Sequence, residues 1–400
     1  MKPKGSIVVA GHLCLDLIPD LSQISRDQFG VLFKPGHLLT AGPATFSTGG
    51  PVSNTGLALT RLGNSVELMA LVGSDPFAEI VRGVVRSFGA HLADRIISDP
   101  RSATSYTVII NPPEIDRIFL HCPGANDAFG PENIDLEIVE KAALFHFGYP
   151  PLMKRMYENN GAELLQIMKQ AKMTGVTTSL DMTLPDPESA AGKADWLRIL
   201  GEVLPFTDIF LPSIEELLFT LHRPVYQRLT SQADGGSILP LVTAGMLSDL
   251  SQDLLEKGVK LAGIKLGARG MYLRTGSETQ LHKMGRAAPR NHTLWADREL
   301  WAPCFKVKVV GTTGAGDAAI AGFLSSILRD LTPENTLKMA VAVGACNVEA
   351  PDALGGLRSW EETRQRVEAG WQQQELSVDA PGWSYDPQAG LWYGAADQNE

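Results

Sequence analysis

The stretch from Val309 to Leu324, VVGTTGAGDAAIAGFL, holds residues that could do chemistry. Gly311 and Gly316 are spaced like the two glycines of a phosphate-binding loop, but the next residue is Asp317 where such a loop carries Lys. The residues after it, Ala318 to Leu324, are apolar nearly all round, as in a buried helix. Gly314, Ala315 and Gly316 then form the entry to that helix, where free N–H groups and the positive end of the dipole stabilise an anion. Asp317 in the first turn would repel a resident phosphate. It makes sense as a base, taking a proton from a hydroxyl that attacks a phosphoryl group held by the loop. An ordinary Gly/Asp helix cap has the same residues. So does the dinucleotide fingerprint G-x-G-x-x-A in GAGDAA, but the acid it requires would be Glu334, which lies in LTPENT at the start of another helix, so the βαβ context fails.

These residues need a scaffold. The chain has 400 residues, 44% of them hydrophobic, enough to bury a sizeable core. A net charge of −10 without a basic run argues against nucleic acid as a partner. The apolar run Ile7 to Ala10 is too short for a signal-peptide core or a membrane span. Cys14, Cys122, Cys304 and Cys346 lack metal-site or redox spacing and read as reduced thiols of a cytoplasmic protein.

Short β-rich runs alternate with helical patterns. Strands are expected at SIVVAG, VELMALV, 144–148, 176–182, 208–212 and 261–267, and a helix over 51–62 closed by Gly63. Phe77, Ile80, Val81, Val84, Val85 and Phe88 mark the clearest helix, with Asp75 to cap it, Pro76 in its first turn and Gly89 to end it. The alternation implies a mostly parallel sheet covered by helices on both faces. Residues 13–48 and the apparent hairpin 104–122 break it and suggest a β appendage. Residues 222–245 read as an insertion loop, and 382–394 as a hairpin with Trp383, Trp392 and Tyr393 packing on the chain's own surface.

The loop at 309–323 resembles the C-terminal signature of the ribokinase-like (PfkB-type) carbohydrate kinases. GGPVSNTGLALTRLGNSVELMALVGSDPFAEIV at 49–81 is similar to their N-terminal signature, with a double Gly, Asn54, Leu-Gly and Gly-x-Asp in order. The resemblance spans roughly residues 5–370 and leaves 371–400 as an extension. It implies a doubly wound α/β domain whose small β lid comes from 13–48 and 104–122. It implies transfer of the γ-phosphoryl group of ATP to a hydroxyl of a small sugar, with Mg²⁺ on the phosphates.

By the same resemblance, Asp317 is the base and Gly314, Ala315 and Gly316 the anion hole. Asp16 binds acceptor hydroxyls, and Gly49, Gly50 and Asn54 close against the substrate. Lys265, Gly267, Ala268 and Gly270 of KLGARG, with Thr312, line the triphosphate, and Asn347 lies near the adenine. KLGARG by itself reads as a tight turn between strands. Ser213 stands where the family usually has Asn, three residues before Glu216, which is tied to the metal. Gly311 replaces an Asp that usually helps hold a monovalent cation, so that ion is not expected unless Glu349 or Asp352 supplies the carboxylate. A nucleoside acceptor, stacked on Phe33 or Phe46, is the alternative. A sugar sensor without turnover is another, as is pairing of two copies through the lid.

Overall fold

The computed structural model describes residues 3–25, 34–111 and 118–397. Among the described residues fifteen strands form two sheets. In chain order they are β1 (Ser6–Gly11), β2 (Cys14–Pro19), β3 (Ala44–Gly49), β4 (Ser65–Val72), β5 (Ile96–Ser98), β6 (Tyr106–Ile110), β7 (Ile118–Cys122) and β8 (Leu144–Gly148). They continue as β9 (Thr177–Leu180), β10 (Ile209–Phe210), β11 (Leu261–Lys265), β12 (Met271–Thr275), β13 (Glu299–Ala302), β14 (Ser384–Asp386) and β15 (Leu391–Tyr393).

The main sheet runs β14-β15-β13-β12-β11-β10-β9-β8-β1-β4-β5. From β11 to β5 every neighbouring pair is parallel; from β11 back to β14 every pair is antiparallel. The apolar run of β1 explains its central place. Ile7 and Val9 enter the core on one face and Val8 and Ala10 on the other, all fully buried. From β1 the chain builds outward to β4 and β5, then returns to lay β8 on the other side. That reversal leaves a crevice at the C-terminal ends of the strands, the usual ligand position in such sheets.

The second sheet, β3-β2-β6-β7, takes its strands from the two segments that broke the alternation. The helix at Pro76–Phe88 starts as expected, with the Asp75 side chain accepting from Ala78 N and Gly89 at its end. The helix at 51–62 spans Pro51–Arg61. The reading of 222–245 as a loop is corrected: Arg223–Ala233 is a helix that buries Leu229. Pro224 stands in its first turn, where a missing N–H costs nothing.

The tail hairpin is part of the main sheet, because β15 pairs with β13. Trp383 packs against Tyr272 and Trp301, with ring centroids 6.2 and 6.1 Å apart. Among the described residues no helix is long and apolar enough to cross a membrane.

Candidate active site

The strand ends supply the site's side chains. His12 follows β1, Tyr149 follows β8, Asp181 follows β9 and Lys265 closes β11. Two helices bring their N-termini to the same place, Pro51–Arg61 and the almost wholly buried Ala315–Leu328. Small residues allow the second to sit deep: a Cβ on Gly322 would lie 2.8 Å from the Met339 carbonyl of the following helix.

Asp317 lies in the first turn of Ala315–Leu328, after Gly314 in the left-handed region (φ 72°). Its carboxylate is buried, yet held by three donors. Asn54 Nδ2 and Tyr149 OH donate to Oδ2 at 3.0 and 2.9 Å, and Thr55 Oγ1 donates to Oδ1 at 3.2 Å. Burial pushes the carboxyl above its usual range, against the pull of Lys265 and the three donors. Tyr149 has φ 61°, a conformation a bulky residue rarely adopts, and this turns its ring back to Asp317. Burial, with Asp317 beside it, raises the phenol well above its usual value, so Tyr149 stays a donor.

The cation missing from the glycine loop arrives from another element. A Cβ on Gly316 would lie 3.6 Å from Lys265 Nζ, so the ammonium flanks the helix entry. Lys265 Nζ is 2.7 Å from Asp181 Oδ1 and 3.9 Å from Glu216 Oε2. Burial works against the charged lysine, but Asp181 and Glu216 outweigh it and raise its pKa. Asp181 is fully buried and its Oδ2 has no hydrogen-bond partner.

Beside this cluster opens a cavity of about 430 Å³, within the range of small-ligand sites. Its lining includes Thr312, Gly314, Ala315, Gly316 and Asp317 of the glycine loop and the apolar side chains of Phe305, Val307, Val341, Ala345 and Val348. Lys265, Gly267, Ala268 and Gly270 form one wall. They include the tight turn between β11 and β12 and also face the cavity. Gly270 is required there, since a Cβ would sit 1.9 Å from the Ala302 carbonyl.

On the other side of Asp317 is the small sheet. Asp16 on β2 is buried, and a Cβ on Gly49 would meet its Oδ2 at 2.6 Å. Burial raises the Asp16 carboxyl to about 6. Gly50, φ 86°, packs its α-carbon against His12.

A family model, the pfkB family of carbohydrate kinases, matches residues 4–359. The chain belongs to that family. A probable chloroplastic fructokinase-6 of Arabidopsis thaliana is 25% identical over 372 residues, 90% of this chain and 82% of the relative. Fructokinase-2 of Solanum lycopersicum is 24% identical over 381 residues, covering 92% and 97%. Among solved structures, Arabidopsis thaliana ribokinase complexed with ribose and ATP superposes with a TM-score of 0.67 at 19% identity, covering 92% of this chain and 99% of the other. Xylella fastidiosa fructokinase with bound ATP gives 0.65 at 19% identity, covering 91% and 98%. The fold is ribokinase-like and the chain is a carbohydrate kinase.

Several of the expected site residues also have structural partners. Asn54, expected to close on the substrate, donates to Asp317. Asn347 does not line the cavity; its Nδ2 donates to the Thr313 carbonyl at 2.9 Å and so clamps the loop before Gly314. Ser213 and Glu216 line the cavity while capping the Ile214–Leu221 helix: Ser213 Oγ accepts from Glu216 N, and Glu216 Oε2 accepts from Ser213 N. A Cβ on Gly311 would lie 2.8 Å from the carbonyls of Ala350 and Pro351. Glu349 is paired with Arg358 and Arg366, and Asp352 accepts from the Leu354 and Gly355 amides. Phe46 is exposed on β3, and Phe33 lies outside the described residues.

Tyr149, Thr55, Asp181 and His12 were missed by sequence reasoning. Asp181 alone left a signal, an acid at the end of an expected strand in LDM.

Proposed function

We propose that this kinase transfers the γ-phosphoryl group of ATP to a hydroxyl of a small sugar, with Asp317 as the base. The observation that carries the reading is a buried carboxylate in the first turn of a helix, fixed by three donors, with a lysine ammonium at the helix entry. The raised carboxyl takes a proton readily as the hydroxyl attacks. The amides of Gly314, Ala315 and Gly316 and the Lys265 ammonium stabilise the charge on the transferring group. The apolar side chains of the cavity lining suit the adenine, and the glycine-loop amides suit the phosphates.

Mg²⁺ prefers oxygen donors, and the Glu216 carboxylate in the cavity lining and Asp181 Oδ2, beside the Lys265 that also lines it, fit the ion. When bound, the ion neutralises phosphate charge. Gly311 offers only a carbonyl, so a monovalent cation has no part in this reading. The names of the relatives and the ribose-bound ribokinase support a sugar as acceptor.

The test is ADP release with fructose, ribose and a nucleoside, on the natural chain and on Asp317→Asn. We expect turnover with a sugar, and a loss of about 10²–10⁴ in kcat for the variant with nucleotide binding kept. A variant that keeps most of its kcat removes Asp317 from the base role. Turnover of the nucleoside alone moves the acceptor assignment.

A further inference from the structure

The inner face of the lid carries a polar row that no feature of the nucleotide cavity uses. Ser47, Asp16, Thr107 and His121 are successive cross-strand partners on β3, β2, β6 and β7. Partners in register project from the same face of a sheet, so the four side chains lie side by side. Thr107 Oγ1 is 3.0 Å from His121 Nδ1.

His12 joins this row to the base. Its ring centroid is 5.4 Å from that of His121 and 6.3 Å from that of Tyr149, which donates to Asp317. The His12 side chain is only 2% exposed, and neither ring nitrogen has a hydrogen-bond partner. A buried polar group left unpaired costs free energy that a ligand hydroxyl would relieve. A neutral imidazole has one donor and one acceptor, and a hydroxyl can satisfy either. Burial, and His121 beside it, lower the His12 pKa to about 3, so the ring is uncharged at working pH.

We propose that His12 and His121 bind hydroxyls of the acceptor and make this kinase selective for neutral polyhydroxylated acceptors over sugar acids. The row has no lysine or arginine. A sugar carboxylate placed on the row would meet the Asp16 carboxyl, and among the four row positions no side chain offers it a full positive charge. A neutral sugar meets two imidazoles, the Thr107 hydroxyl and a carboxylate that accepts hydroxyl protons. The inference rests on the sugar-kinase reading and names the residues that choose among its acceptors.

The test compares kcat/KM for fructose, ribose and gluconate in the natural chain, His12→Phe and His121→Phe. Phe keeps the ring and removes both nitrogens. His121 is on the exposed side of the row, so its variant folds even if the buried site does not tolerate Phe. We expect each variant to lose about tenfold or more in kcat/KM for the neutral sugar, about 1.4 kcal/mol, with the KM for Mg-ATP unchanged. The natural chain should use gluconate at least about tenfold less well than fructose, the same margin in free energy. Sugar turnover that neither variant impairs, or gluconate used as well as fructose, overturns the proposal and leaves the kinase reading standing. No turnover of any sugar by the natural chain overturns both.

Discussion

Asp317 is kept in balance by opposed effects, and Tyr149 is the one most easily removed. The phenol donates to Oδ2 and so favours the ionised carboxylate, against burial. In Tyr149→Phe burial gains, and the carboxyl holds its proton to higher pH. The acid limb of the kcat profile should shift to higher pH. An unmoved limb would mean that Asp317 is not the group titrating. Asp16 gives a second profile. Its folded carboxyl titrates near 6, above its ordinary 3.8, because of burial. The folded state therefore binds the proton more tightly than the unfolded chain, and the stability this adds is lost as pH rises through about 6. In the proposed acceptor role the carboxylate accepts sugar hydroxyls once ionised, so acceptor KM should fall across the same window while thermal stability declines. Asp16→Asn should flatten the stability trend, which calorimetry between pH 4 and pH 8 would show. Asp317 and the glycines beside it stood out because their types and spacing imply chemistry locally, whereas Asp16 was marked only by the family resemblance. Tyr149 was not: it reaches Asp317 across 168 residues, and nothing in FGYP marks that contact.

Elements place these residues through their ends. Helix Pro51–Arg61 carries Asn54 and Thr55 to Asp317 only because it starts abruptly at Gly50. Gly50 has φ 86°, and a Cβ there would lie 2.5 Å from the His12 carbonyl. Gly50→Ala should cost more than about 1 kcal/mol of stability, the usual result of adding a side chain where φ is positive. The same change should lower kcat by tilting the helix, and normal kcat and melting temperature would show that the start is not constrained. The capped helix Pro76–Phe88 and the β1 run were legible because periodicity and end signals agree. The helix Arg223–Ala233 was not, because His222, Arg223, Pro224 and a Ser/Gln/Ala/Gly stretch look like a loop until Leu229 is seen buried. The edge pairing of β15 with β13 was also hidden, since which strand a hairpin joins is decided by tertiary packing rather than local pattern.

At the scale of the whole molecule, Asp317 and the side chains that hold it come from opposite halves of the chain. Asn54 and Thr55 lie 263 and 262 residues before Asp317, and Tyr149 lies in the same earlier half. Asp181 belongs with them, while its partner Lys265 belongs with Asp317. The chain between the halves passes through Gly235, exposed, with φ 81° and nothing within 4 Å of a Cβ placed there. A break at that point would leave β10 and β11 as the facing edges of two fragments. Each fragment would hold part of the cluster and neither the whole: one the three donors without Asp317, the other Asp317 without its donors. Fused to two proteins that bind each other, the fragments should regain ADP release only when those proteins associate. Activity in either fragment alone would show that the base needs none of its partners. Phosphoryl transfer would then serve as a proximity reporter, an output gated by the meeting of any two molecules an experimenter chooses to attach.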